Sequence, residues 1–114
     1  MFFHYSQNNS GGGFTFDARA GISVNVIVEA ESAAVANARA EEIGLYFDGA
    51  GDCQCCGDRW GEQWSDSRGT ATPQVYGEPV LGHVSHYRWM KTGRAETFVH
   101  YADGRVQGFD FGTK

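Results

Sequence analysis

Between residues 22 and 43 the chain passes from a strict period of two to an alanine-rich run with its own start and stop signals, and this constrains the fold most. Ile22, Val24, Val26 and Val28 alternate with Ser23, Asn25, Ile27 and Glu29, the pattern of a strand with one buried face. Ser32 then offers an N-cap oxygen, alanines occupy 33, 34, 36, 38 and 40, and Gly44 follows as a helix-ending residue. The spacing therefore predicts a helix over 32–43. Ala33, Ala36, Ala40 and Ile43 share one side of it, where small side chains let the helix lie close to a sheet, while Asn37, Arg39, Glu41 and Glu42 turn to water. Leu45–Phe47 offers the start of a further strand.

The second half reads as a C-terminal β-meander of Val84–Lys91, Glu96–Tyr101 and Arg105–Phe111. Asp103-Gly104 is a two-residue hairpin signal, because glycine accepts the positive φ that a tight turn demands. Phe98 and His100 share one face of the middle strand and Val99 and Tyr101 the other, so aromatic residues on both faces predict a strand covered on both sides. Phe2–Tyr5 reads as a short strand, with a second apolar piece at Phe14–Phe16. Residues 48–82 show no sustained period and are rich in Gly, Asp and Ser, which predicts a long irregular loop. With 114 residues, 41% of them apolar, the chain fits one domain. The fold class expected is α+β: a mostly antiparallel sheet with one helix packed on it.

Charge narrows the partners. The net charge is −5, with residues 1–66 at −7 and residues 67–114 at +2. Duplex nucleic acid is not an expected partner, since non-specific binding there needs a basic surplus that displaces counterions. No apolar run approaches the roughly 18 residues of a membrane span, and Met1–Gly13 lacks the basic start and apolar core of a signal peptide. A soluble intracellular protein is expected. The three cysteines, Cys53, Cys55 and Cys56, lie too close together to form a spread disulfide framework, which points to a reducing compartment.

Two segments carry chemistry. In Asp52–Trp60, Cys53 and Cys56 have the C-x-x-C spacing that brings two thiolates to one tetrahedral zinc. Completing such a site takes Cys55, a histidine (His4, His83, His86 or His100) or a second subunit. The other reading makes them small packed thiols in a tight turn. Arg59 and Trp60 are side chains that stack on flat rings and pair with phosphate, or else Trp60 packs as local core. In His4–Gly13, Tyr5, Asn8 and Asn9 stand before three glycines, so the segment supplies hydrogen-bonding groups and a backbone that approaches a ligand closely. It is neither a Walker loop nor a dinucleotide fingerprint. The alternative is a plain polar loop. Arg88, Arg94 and Arg105 are available for phosphate. No Ser/His/Asp order or paired-carboxylate spacing marks a catalytic centre.

Phe2-Phe3-His4-Tyr5-Ser6-Gln7-Asn8-Asn9-Ser10-Gly11-Gly12, Ile43–Gly49 and the block Asp52–Trp60 together resemble a family of small uncharacterised proteins encoded by tailed bacteriophages. The resemblance implies expression in the cytoplasm of an infected bacterial host and transfers no catalytic residue. Small phage proteins without an enzyme signature act, by analogy, as accessory factors. The expectation is thus a non-enzymatic phage accessory protein, a homo-oligomer that captures a small nucleotide-like ligand such as a host defence signal. Its ligand-binding set is Tyr5, Asn8, Asn9, Arg59, Trp60, Arg88, Arg94 and Arg105. The alternative is a zinc-stabilised adaptor that binds a host protein.

Overall fold

Ser32 and Gly44 bound the helix where the sequence places them. In the computed structural model, which describes residues 1–7, 16, 17, 19–47, 60–75, 78, 79 and 97–109, helix α1 runs Ala33–Ile43. Ser32 is extended and its Oγ accepts the Val35 N–H at 3.2 Å. At the other end Gly44 sits at φ 127°, a conformation L side chains avoid. Its N–H donates to the Ala40 and Glu41 carbonyls, and the Leu45 N–H donates to Ala40 O at 3.0 Å. This is a Schellman closure, and Leu45 is buried in the same core as Ala40.

Strands β1 (Phe2–Ser6), β2 (Asn25–Glu29), β5 (Thr97–His100) and β6 (Val106–Phe109) form one sheet in the order β1-β2-β5-β6. Strands β3 (Gln74–Val75) and β4 (Glu78–Pro79) make a separate two-stranded ribbon. β1 pairs antiparallel with β2, β5 antiparallel with β6, and β2 parallel with β5. The fold is α+β with a mostly antiparallel sheet. The one parallel pair among the described strands, β2 with β5, has α1 within its connection, as a parallel pair needs a long crossover where a hairpin would not do.

The sequence predicts a single buried face for the 22–29 strand, yet residues 21–28 are all buried. Val26 and Val28 pack with Ala33, Ala36 and Ala40 of α1, together with Phe3, Tyr5 and Leu45. Ile27 points the other way, onto Val99 of β5 and Val75 of the ribbon. The strand is central and covered on both sides, so the alternation marks two cores and not an inside and an outside. The regular strand is also shorter than expected, because Ile22 leaves it to close a bridge with Asp17.

The β5–β6 hairpin falls where its turn signal predicts, one residue longer. Gly104 N–H donates to Tyr101 O and Tyr101 N–H to Arg105 O, leaving Ala102, Asp103 and Gly104 in the loop, with Gly104 at φ 95°. β5 is buried at Thr97, Val99 and His100, as aromatic residues on both its faces predict. The predicted Val84–Lys91 strand lies outside the described residues. No described helix is long and apolar enough to cross a membrane.

His100 is 2% exposed on the α1 side, and its Nε2 lies 2.8 Å from the Gly21 carbonyl, to which it donates. Burial pulls its pKa below the ordinary histidine value, only partly opposed by the Gly21 bond, and the Arg39 charge adds to the lowering. Below the ordinary value of about 6.5 the unfolded chain binds a proton that the folded ring resists. Stability should hold above that pH and fall as acid is added through it. Urea titrations at about pH 7.5 and pH 5.5 check this. His100→Gln should flatten the difference, and an unchanged slope would assign the dependence elsewhere.

Candidate functional site

The segment after the cysteines, expected to be irregular, is anchored along the free edge of β1 over residues 60–75. Trp60 is 2% exposed and belongs to the core beneath α1. Three residues on, the Asn37 side chain of α1 holds Gln63 as a backbone partner would. Asn37 Oδ1 accepts the Gln63 N–H at 2.8 Å, and Asn37 Nδ2 donates to Gln63 O at 2.9 Å. The buried Tyr5 hydroxyl donates to the same Oδ1 at 2.7 Å. Two donors on one oxygen fix the orientation of the carboxamide. Burial, with the nearby Glu62 carboxylate, raises the Tyr5 pKa far above the usual phenol range, so the hydroxyl keeps its proton and stays a donor. Gln63 Nε2 reaches back to His4 O at 2.6 Å. Further along, Phe2 and Thr70 exchange backbone hydrogen bonds at 2.8 Å in both directions.

Clamped at Gln63 and at Thr70, the chain between must bulge. It turns through Trp64–Ser67, closed by Ser67 N–H to Trp64 O at 2.9 Å, and leaves Trp64 79% exposed. An indole this open on a fixed segment is unusual, since tryptophan is highly buried on average. Beside it lies a groove of about 590 Å³, lined by Ser32, Ala34, Asn37, Glu62, Trp64 and Ser65. That volume falls within the roughly 300–1,000 Å³ of small-molecule sites. One wall is the start of α1, where Ser32 Oγ serves Val35 and no acidic side chain stands in the first turn. The Ala33 and Ala34 N–H groups therefore have no intrahelical partner. The groove thus combines a flat aromatic face, a carboxylate and the positive end of a helix.

The residues singled out from sequence fall in different places. Tyr5 and Trp60 share one core and have almost no solvent-facing surface. Tyr5 also stacks on Phe47 with ring centroids 5.7 Å apart. Arg105 belongs to the distant β5–β6 hairpin. Its Nε pairs with Asp103 Oδ2 at 2.8 Å and its guanidinium lies 4.6 Å from the Tyr101 ring centroid. The structure brings Tyr5 and Trp60 together and leaves Arg105 apart from them. Asn8, Asn9, Arg59, Arg88 and Arg94 lie outside the described residues, as do Cys53, Cys55 and Cys56 of the zinc reading. Of the histidines named for that site, His100 is committed to Gly21, and His4 Nε2 lies 2.7 Å from Asn25 Oδ1. Among the described residues no group of three or more His, Cys, Asp or Glu is placed to hold a metal.

Trp64, Asn37 and Gln63 were not singled out from the sequence. A signal for Trp64 was present in Gly61-Glu62-Gln63-Trp64-Ser65-Asp66-Ser67-Arg68, where it is the one large apolar side chain in a polar run. Asn37 carries no such mark, because a polar residue on a helix reads as solvated until its partner from a remote segment is known.

A family model described as a domain of unknown function, DUF7296, matches residues 1–114. No curated protein and no solved structure matches the chain.

Proposed function

The chain belongs to the DUF7296 family over residues 1–114, and from its site we propose that it is a binding protein that captures a small nucleotide-like ligand without turning it over. The observation that carries this is Trp64, 79% exposed on a segment pinned at both ends beside a groove of about 590 Å³. A ring stacked on an aromatic side chain gains about 1–3 kcal/mol whatever the base, because every base has a π face. Glu62 can accept from a ring amino group or a sugar hydroxyl. The resemblance to phage proteins makes a soluble molecule of the infected host the expected ligand.

Trp64→Ala tests the reading. Trp64 makes little contact with the core, so thermal stability should stay near wild type, while affinity for AMP measured by calorimetry should fall roughly tenfold or more. Equal AMP binding by the variant would remove the groove as the site.

A second reading, an adaptor that binds a host protein, draws on a different observation. Met1 and Val35 are each 48% exposed and line a separate groove of about 340 Å³ with Glu29, Glu31 and Arg39. Apolar anchors ringed mostly by acidic groups suit a basic protein segment. Under that reading the wild type gives no nucleotide signal for Trp64→Ala to remove.

A further inference from the structure

Gln63 also borders a second concavity, of about 280 Å³. His4, Gln63, Ser67, Arg68, Thr70 and Gln74 line it, and among the described residues no carboxylate does. In a chain of net charge −5 that composition stands out. Arg68 is exposed, and no hydrogen bond or ion pair engages its guanidinium among the described residues. The amides nearby are only partly spent. Gln63 Nε2 uses one hydrogen on His4 O, and Gln74 Nε2 makes a long 3.3 Å contact to Thr72 Oγ1, so each amide keeps a second N–H.

Gly69 sets the shape of this concavity. It sits at φ 69°, and a Cβ there would lie 2.7 Å from the Phe2 carbonyl oxygen. The turn therefore presses against β1 with Arg68 held at its rim. Trp64 and Ser67 bound one turn, closed by Ser67 N–H to Trp64 O at 2.9 Å, and Arg68 follows that turn directly. Gln63 is a wall of both concavities.

We infer that Arg68, with Ser67, Gln63 and Gln74, is the subsite for the anionic group of the ligand, a phosphate whose attached ring stacks on Trp64. The inference rests on the capture reading and adds to it the position of the charge. The guanidinium offers five donors in a planar fork that matches a phosphate, and the serine hydroxyl and the two amides supply neutral donors around it. Glu62 and the neutral ring remain on the Trp64 side, away from the phosphate.

The test compares adenosine with AMP by calorimetry on wild type, Arg68→Gln and Arg68→Lys. Wild type should bind AMP roughly tenfold or more tightly than adenosine. Arg68→Gln should erase that preference while leaving adenosine affinity unchanged, and Arg68→Lys should restore part of it. A preference that survives in Arg68→Gln would move the phosphate elsewhere, such as the start of α1, and overturn the inference. If neither adenosine nor AMP binds wild type, the capture reading fails, and the subsite is judged on inorganic phosphate alone. In that case a shift of the Arg68 Nε–H resonance on phosphate titration supports the subsite, and no shift overturns it.

Discussion

Asn37→Ala is expected to lower the unfolding free energy by about 2–4 kcal/mol and to abolish binding in the groove. The carboxamide makes three hydrogen bonds, to the Tyr5 hydroxyl and to both backbone groups of Gln63. Alanine leaves the Tyr5 hydroxyl buried without its acceptor, a penalty of about 1–3 kcal/mol by itself. It also frees Gln63, and with it the anchor that holds Trp64 at the groove. Asn37→Asp separates the two effects. It keeps the oxygen that accepts from Tyr5 and Gln63 but sets a carboxylate oxygen against Gln63 O in place of the donor, so the Tyr5 acceptor survives while the Gln63 clamp loosens and AMP binding weakens. Urea unfolding and calorimetry on both variants check this. Loss of stability with intact binding would show that the segment keeps its place without the helix.

The second large effect is expected at Gly69. Alanine there must adopt φ near 69° and place its Cβ 2.7 Å from Phe2 O, an atom of the β1 backbone that already accepts the Thr70 N–H. The left-handed conformation costs about 1–2 kcal/mol, and relieving the clash means loosening the Phe2–Thr70 pair. A total near 3 kcal/mol is expected, which in a domain of this size lowers Tm by roughly 10–20 °C. Gly61→Ala is the matched control, because nothing lies within 4 Å of its added methyl. Calorimetric melting of the two variants should differ by most of that shift. Equal Tm values would mean that the edge of β1 yields to the methyl group at little cost.

The helix and its caps were legible because their causes are local. A serine oxygen within reach of the third helical N–H and a glycine free to take φ 127° are written in adjacent residues. The β5–β6 hairpin was legible for the same reason. Burial of β2 on both faces was not, because Ser23 and Asn25 read as solvent-facing until Val75 and Val99 are known to pack on that side, and those residues lie far along the chain. The site was legible least of all. Trp60 and Trp64 are four residues apart in polar surroundings, yet one is core and the other 79% exposed. What separates them is the clamp that Asn37 places on Gln63, a pairing across 26 positions that no local pattern encodes.

Capture without turnover means that the chain holds a nucleotide-class molecule at Trp64 and returns it unchanged. Native mass spectrometry of the full chain, incubated with an equimolar mixture of adenosine, AMP and ADP, tests it most directly. An adduct with the mass of an intact phosphorylated component, stable over hours and absent from Trp64→Ala, is expected. A spectrum of bare protein, or of an adduct whose mass shows the nucleotide cleaved, would contradict it.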